Sequence, residues 1–271
     1  MVASSLPSFL RKLSFSTRVG QVVKINSPSL YSIMLETKKS PYRILSFDGG
    51  GIRTILSVEI LSMLSKEVDF LSKVDLFAGT SGGAMIAMCL ASGQPPERIL
   101  NFYKNPDDFF PRYSKMSLFH LHCKYSNEAG KKRLEDQLSF KKIKHSATLK
   151  DLQKDLVVTS CKLTNDQGHW VPCIFSNFSC PEESPSLFDI IMRSTAAPTY
   201  FPSYQGYIDG AVASQNPSLV ALSLACDPLE GAKQELSNIR MLSLGSGYVP
   251  TTIKTDENGH SDAGSLSWLN P

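Results

Sequence analysis

From residue 42 onward, short apolar runs alternate with amphipathic stretches. Apolar runs bounded by turn-forming residues read as strands, and apolar positions recurring every three or four residues read as helices. Arg43–Phe47, Val74–Ala78, Tyr204–Ile208 and Ile239–Leu244 are predicted strands on this basis. Ile52–Lys66 is a predicted helix, with Ile52, Ile55, Leu56, Ile60, Met63 and Leu64 near one side. Gly82–Leu90 reads as a helix of small residues, Pro96–Tyr103 as a helix stopped by Pro106, and Lys131–Leu138 as a short helix. Leu156–Leu163 and His169–Phe175 pair as strands across an Asn165-Asp166-Gln167-Gly168 turn. Ser186 is placed to cap a helix Leu187–Ser194, with Asp189 at the capping-box position, and Pro217–Cys226 is a further helix.

Strands alternating with helices predict an α/β fold with a mostly parallel central sheet covered by helices on both faces. Two glycine-rich turns follow strands, at the end of the sheet where open α/β folds keep their sites. The expected organisation is a basic, serine-rich arm over 1–41, a folded domain over 42–250 and a polar tail over 251–271.

Composition narrows the function classes. The 271 residues carry a net charge of only +3, with no nucleic-acid-binding motif and no long basic stripe. No apolar stretch reaches the roughly 20 residues of a membrane span. The six cysteines form no C-x-x-C pair, and reduced, buried thiols are expected. The first 35 residues hold Arg11, Lys12, Arg18 and Lys24, eight serines and no acid. A floppy basic leader, an amphipathic surface anchor and an organelle-targeting peptide all fit that stretch, and a poorly ordered terminus or simple packing arm is the plain alternative. A cytoplasmic or peripheral-membrane location is expected, with targeting or export through this arm left open.

The candidate chemistry lies in three short motifs. In Gly79-Thr80-Ser81-Gly82-Gly83 a serine has glycine at both second neighbours, between a strand and a helix. That is the layout of a nucleophile elbow, with the following helix aiming its N–H groups at a developing oxyanion. A plain strand-to-helix turn that contains serine is the alternative. In Asp48-Gly49-Gly50-Gly51-Ile52-Arg53 three glycines bring backbone N–H groups close to a ligand. An oxyanion hole and a tight turn both fit. A dinucleotide fingerprint fails because Thr54 stands where its third glycine belongs, and a phosphate loop fails for want of Gly-Lys-Ser/Thr.

Ser81 needs a base. Of the histidines at 120, 122, 145, 169 and 260, only His260 follows in triad order, and it lies in a polar stretch. Asp209, ending the run Tyr207-Ile208-Asp209-Gly210-Ala211, is the better partner. An aspartate acting directly on serine needs a dry surround to raise its proton affinity, and Tyr204, Tyr207, Ile208 and Val212 are candidates to supply it.

These three motifs, in this order, resemble those of the patatin-like phospholipases. Ser194-Thr195-Ala196-Ala197-Pro198-Thr199-Tyr200-Phe201-Pro202 resembles the family's Ala-Ala-Pro segment, and Leu242–Gly247 its late strand ending in Gly-x-Gly. The resemblance runs from about residue 42 to 250. It implies a three-layer sandwich and a Ser81–Asp209 dyad without histidine. It also implies an oxyanion hole from Gly49, Gly50 and Gly51, with Arg53 placed to hold phosphate or polarise the loop. The implied activity is lipid acyl hydrolysis on phospholipids or other glycerolipids at a membrane surface. Gly82 adds an oxyanion N–H, and no cofactor or metal is expected, so the reaction is predicted to be calcium-independent. Transfer of the acyl group to another acceptor, cleavage of neutral glycerides, and a catalytically dead lipid-binding protein are the rival readings. Thr54 departs from the family, which usually has glycine there.

Overall fold

The computed structural model describes residues 40–103, 123, 125–127, 131–132, 134–135, 146–178, 184–248 and 257. The chain divides into two units, Met1–Ser40 and Pro41–Pro271. Every element below belongs to the second. In chain order these are β1 (Tyr42–Phe47), a 3-10 turn (Gly51–Thr54), α1 (Ile55–Glu67), β2 (Leu76–Thr80), α2 (Gly82–Ala91), α3 (Pro96–Tyr103), β3 (Asp155–Lys162), β4 (Val171–Ser176), α4 (Leu187–Ser194), β5 (Tyr207–Asp209), α5 (Ala211–Ser214), α6 (Ser218–Cys226) and β6 (Ile239–Leu244).

The sheet order is β4-β3-β2-β1-β6, and β5 also pairs with β3. β6, β1, β2 and β3 run parallel, while β4 and β5 are antiparallel to β3. The alternation of side chains along each strand feeds two cores. Leu45, Phe47, Phe77, Leu156 and Val158 face a core shared with α1, α2, α3 and α4. Ile44, Leu76, Ala78 and Val157 face the other way, against Ala221 and Ala225 of α6. The fold is therefore α/β, with a mixed, mostly parallel sheet between two helical layers.

Each predicted strand and helix that falls wholly on described residues is present, with informative differences at the edges; the predicted helix Lys131–Leu138 lies partly outside the described residues. β2 runs two residues later than the pattern suggests and carries Gly79 and Thr80 to its end, all five residues buried. β5 is shorter at its start because Tyr204 and Tyr207 exchange backbone hydrogen bonds across Gln205 and Gly206. Those two residues have φ of 51° and 80°, the left-handed pair of a tight hairpin turn. Ser186 caps α4 by accepting from the Asp189 N–H. The hairpin of β3 and β4 turns at Asn165, whose side chain accepts from the N–H groups of Gln167 and His169.

α1 packs by a side other than its apolar stripe: Ser57, Val58, Leu61 and Ser62 face inward, whereas Ile52, Leu56, Ile60 and Met63 are 37–48% exposed. The inward serines are satisfied by hydrogen bonds, Ser57 to the Gly245 carbonyl and Ser62 to Glu97. Their small size lets the helix lie close to its neighbours. No helix among the described residues is long and apolar enough to cross a membrane.

Candidate active site

β3 brings the two key side chains together. β2 pairs with β3 up to Thr80 opposite Thr159. β5 pairs with β3 from Lys162 back to Ser160, which faces Asp209. The other edge of β3 is already taken by β4 over those residues, so β5 occupies the β2 edge. β2 and β5 thus approach from opposite directions along one edge and end at adjacent positions. Ser81 leaves the end of one, and Asp209 closes the end of the other.

Ser81 has φ 54° and ψ −124°, a conformation that costs a non-glycine residue on the order of 1–3 kcal/mol. The turn is too tight for side chains beside it. A Cβ on Gly79 would lie 2.5 Å from the Ala84 backbone nitrogen, and one on Gly83 would lie 2.5 Å from the Asp48 carbonyl oxygen. α2 then continues as ten buried residues.

The Ser81 hydroxyl donates to Asp209 Oδ2 at 2.6 Å, and Asp209 Oδ1 accepts from the Ala211 N–H at 2.8 Å. Asp209 is 3% exposed. Burial pushes its carboxyl up to about 6, against the lowering effect of the two hydrogen bonds. This is the raised proton affinity that direct action on a serine requires. Thr80 and Thr159 pair their hydroxyls at 2.7 Å immediately behind the dyad.

The glycine loop stands opposite. Gly50 and Gly51 have φ of 152° and 54°, conformations that suit glycine and turn the backbone toward Ser81. Gly51 opens the 3-10 turn and Gly82 opens α2, so neither N–H has a partner within its own helix. Gly49 is placed differently. Its N–H donates to the Gln215 carbonyl, and its carbonyl accepts from the Ser246 hydroxyl and the Gln215 amide. It anchors the loop from behind and does not line the cavity. Thr54 is fully buried. Its hydroxyl donates to the Gly51 carbonyl and lies 2.8 Å from the Tyr103 hydroxyl.

Ser81 opens into a cavity of about 640 Å³, within the usual range for small-molecule sites. Gly50, Gly51, Arg53 and Gly82 form its polar end. Met85, Tyr103, Leu134, Ile191 and Met192 form apolar walls, and Tyr125, Tyr200 and Phe201 also line it. Tyr125 stacks on Tyr200 with ring centres 6.3 Å apart and lies against Phe201.

Comparison with known proteins identifies the family. The family model for patatin-like phospholipase matches residues 45–222. The chain belongs to the patatin-like phospholipase family. The putative sporulation hydrolase CotR of Bacillus subtilis is 33% identical over 227 residues, covering 80% of this chain and 67% of that protein. Patatin-like protein 2 of Arabidopsis thaliana is 28% identical over 285 residues, covering 88% of this chain and 70% of that protein. Among solved structures, VipD from Legionella pneumophila aligns with a TM-score of 0.43 at 13% identity, over 81% of this chain and 64% of that one. Membership supports a lipid hydrolase.

In this member of the patatin-like family, Ser81, Gly50, Gly51, Arg53 and Gly82 line one cavity and Asp209 bonds to Ser81 from behind it. His169 lies in the β3–β4 hairpin, away from the cavity. The histidines at 120, 122, 145 and 260 lie outside the described residues. Among the described residues no group of three His, Cys, Asp or Glu side chains is arranged to hold a metal ion. Sequence reasoning missed Ser194, whose hydroxyl accepts from the Ser81 N–H at 3.0 Å. It also missed Gln215 and Ser246 behind Gly49. The only sequence signal for Ser194 is its place at the head of the Ala-Ala-Pro segment.

Proposed function

We propose that the domain over residues 42–250 is a phospholipase A-type acyl hydrolase that cleaves fatty-acyl esters of phospholipids or glycerolipids through an acyl-serine. The observation that carries this reading is the 2.6 Å hydrogen bond from Ser81 to a buried carboxylate, at the polar end of an apolar cavity. Asp209 accepts the Ser81 proton as the hydroxyl oxygen attacks the ester carbonyl. The N–H groups of Gly50, Gly51 and Gly82 stabilise the oxyanion. The intermediate collapses, the glycerol oxygen leaves, and it takes the proton from Asp209. Water then loses a proton to Asp209 and attacks the acyl-serine, releasing the fatty acid and returning the proton to Ser81. Arg53, at the exposed rim, pairs with the lipid phosphate, and the apolar walls receive the acyl chain. The direct test is a panel of defined phospholipids and neutral glycerides, with the freed acids and residual lipids identified by mass spectrometry. Release of fatty acid supports the reading, and binding without release contradicts it.

The base must be ionised to act. With the Asp209 carboxyl raised to about 6, kcat/KM on a soluble ester is expected to be flat above about pH 7. It is expected to fall tenfold per pH unit well below 6. A profile flat down to pH 5 would exclude Asp209 as the base.

A membrane surface is the proposed partner. Ile52 both lines the cavity and is exposed, and Leu56, Ile60 and Met63 continue the apolar stripe along α1. Partial insertion of one such side chain contributes on the order of 1 kcal/mol. Leu56→Asp is therefore expected to lower turnover on phospholipid vesicles about fivefold or more while leaving a soluble short-chain ester unaffected. Equal loss on both substrates would point to a packing role instead.

A further inference from the structure

We propose that Ser194 is a positioning residue that holds the nucleophile turn and the acid turn in register, and so sets the separation of Ser81 and Asp209. The proposal rests on the Ser81–Asp209 reading and adds a residue to it. Ser194 is the last residue of α4 and has no exposed surface. Its hydroxyl oxygen accepts the N–H of Ser81 at 3.0 Å. Its carbonyl oxygen accepts the N–H of Gly210, the residue after Asp209, at 3.2 Å. One residue therefore grips both turns, through its side chain on one side and its backbone on the other.

The surrounding bonds make this grip stiff. The Asp209 N–H donates to the Ala196 carbonyl, two residues beyond Ser194. On β3, the Ser160 hydroxyl lies within hydrogen-bonding distance of the carbonyls of Arg193 and Ile208, at 3.1 and 3.0 Å. The end of α4 is thus tied to β3 and β5 independently of Ser194, so the helix end is a fixed post. The Ser81 N–H is the group that needs a post. It sits in a backbone conformation that persists only where neighbouring contacts over-determine it. Its carbonyl is held by Ala84 and Met85, which fixes one side of the residue, and Ser194 fixes the other. Because this N–H is directed at Ser194, it is not an oxyanion donor, which leaves that task to Gly82 and the glycine loop.

Without the Ser194 hydroxyl, the buried Ser81 N–H has no acceptor and the strained turn relaxes. The Ser81 hydroxyl then loses alignment with Asp209 Oδ2. Donation from Ser81 holds the Asp209 carboxyl down, so its loss moves the acid limb of the pH profile upward. A residue that only packs would change none of this in the folded enzyme.

The test compares wild type with Ser194→Ala, Ser194→Cys and Ser194→Thr. Cysteine conserves volume with a poor acceptor, and threonine restores the hydroxyl. Three readouts are taken on folded protein: kcat and KM for a soluble short-chain ester, the rate of Ser81 labelling by a fluorophosphonate, and the pH profile. Ser194→Ala and Ser194→Cys are expected to lose about 10- to 100-fold in kcat and in labelling rate. KM should stay within about twofold, and the acid limb should move to higher pH. Ser194→Thr should stay within about threefold of wild type. In an Asp209→Asn background, Ser194→Cys should add little further loss. Should alanine fail to fold, the cysteine–threonine pair decides the matter. A Ser194→Cys enzyme that keeps wild-type kcat and labelling rate and only melts earlier would overturn the proposal. Failure of the dyad reading itself looks different: Ser81→Ala would retain turnover whatever stands at position 194.

Discussion

Ser81→Ala is expected to release no fatty acid above background, a loss on the order of 10⁴- to 10⁶-fold in kcat, with the fold intact. The Ser81 hydroxyl is the one that donates to the carboxylate, at 2.6 Å, and without an attacking oxygen the oxyanion donors have no adduct to stabilise. Asp209→Asn is expected to lose about 10⁴-fold, since an amide cannot take the proton. The same substitution has an opposite effect on stability. The Asp209 carboxyl sits at about 6 in the fold against an ordinary 3.8, because burial disfavours its charged form. Between those values the folded state binds more protons than the unfolded one, so stability falls as pH rises through that window. Above about pH 6 the whole penalty is present, up to about 3 kcal/mol. Asparagine removes the charge and keeps an acceptor for Ala211 and a donor for Ser81. Asp209→Asn should therefore melt higher than wild type at pH 8 and show no such gain at pH 4. Calorimetry at the two pH values checks this. An inactive variant that is also less stable at pH 8 would mean that Asp209 holds the fold rather than the proton.

Gly83→Ala is expected to damage structure and chemistry together. Its added carbon would lie 2.5 Å from the Asp48 carbonyl oxygen and closer still to that of Phe47. Both are backbone atoms at the end of a central strand, so the start of α2 must move by the better part of an ångström. Overpacking of this kind typically costs about 1–3 kcal/mol, or roughly 2–12 °C in melting temperature for a domain of this size. Displacing the reacting groups by about 1 Å costs on the order of 10²-fold in rate. Because Gly82 and Ser81 ride on the same helix start, the kcat loss should exceed what the unfolded fraction explains. Thermal melting and kcat per folded molecule separate the two effects. A variant with both values unchanged would show that α2 does not need its close approach to β1.

Much of the site is legible in the sequence because its parts lie at strand ends. Gly-x-Ser-x-Gly after an apolar run and Asp-Gly-Ala after another are local patterns, and the α/β alternation puts the two glycine-rich turns after β1 and β2 on one side of the sheet. Asp209 meets them because β5 runs antiparallel to β3 and ends head-on to β2, which the alternation does not carry. What local patterns do not carry is pairing across the chain. Ser194 meets Ser81 over a separation of 113 residues, and nothing in Arg193-Ser194-Thr195 says which amide it will accept. Gly49 illustrates the same limit. Three equivalent glycines give three equivalent candidates, and only the bond to Gln215 tells the anchor from the two that line the cavity. α1 shows a different one. Its periodicity reveals an apolar side, but the side that packs is decided by the space available, and Ser57 and Ser62 fit where leucine would not. The late start of β5 follows from the left-handed turn at Gln205 and Gly206, which an aromatic-rich run conceals.

The central claim is that Ser81 is made nucleophilic by Asp209. The most direct measurement is mass mapping of a fluorophosphonate adduct on wild type and Asp209→Asn, followed over time at pH 5 and pH 8. One adduct per chain is expected, on Ser81, forming faster at pH 8 than at pH 5 in wild type and at least 100-fold more slowly in Asp209→Asn. An adduct on a different serine, or equal labelling of Ser81 in both proteins, would contradict it.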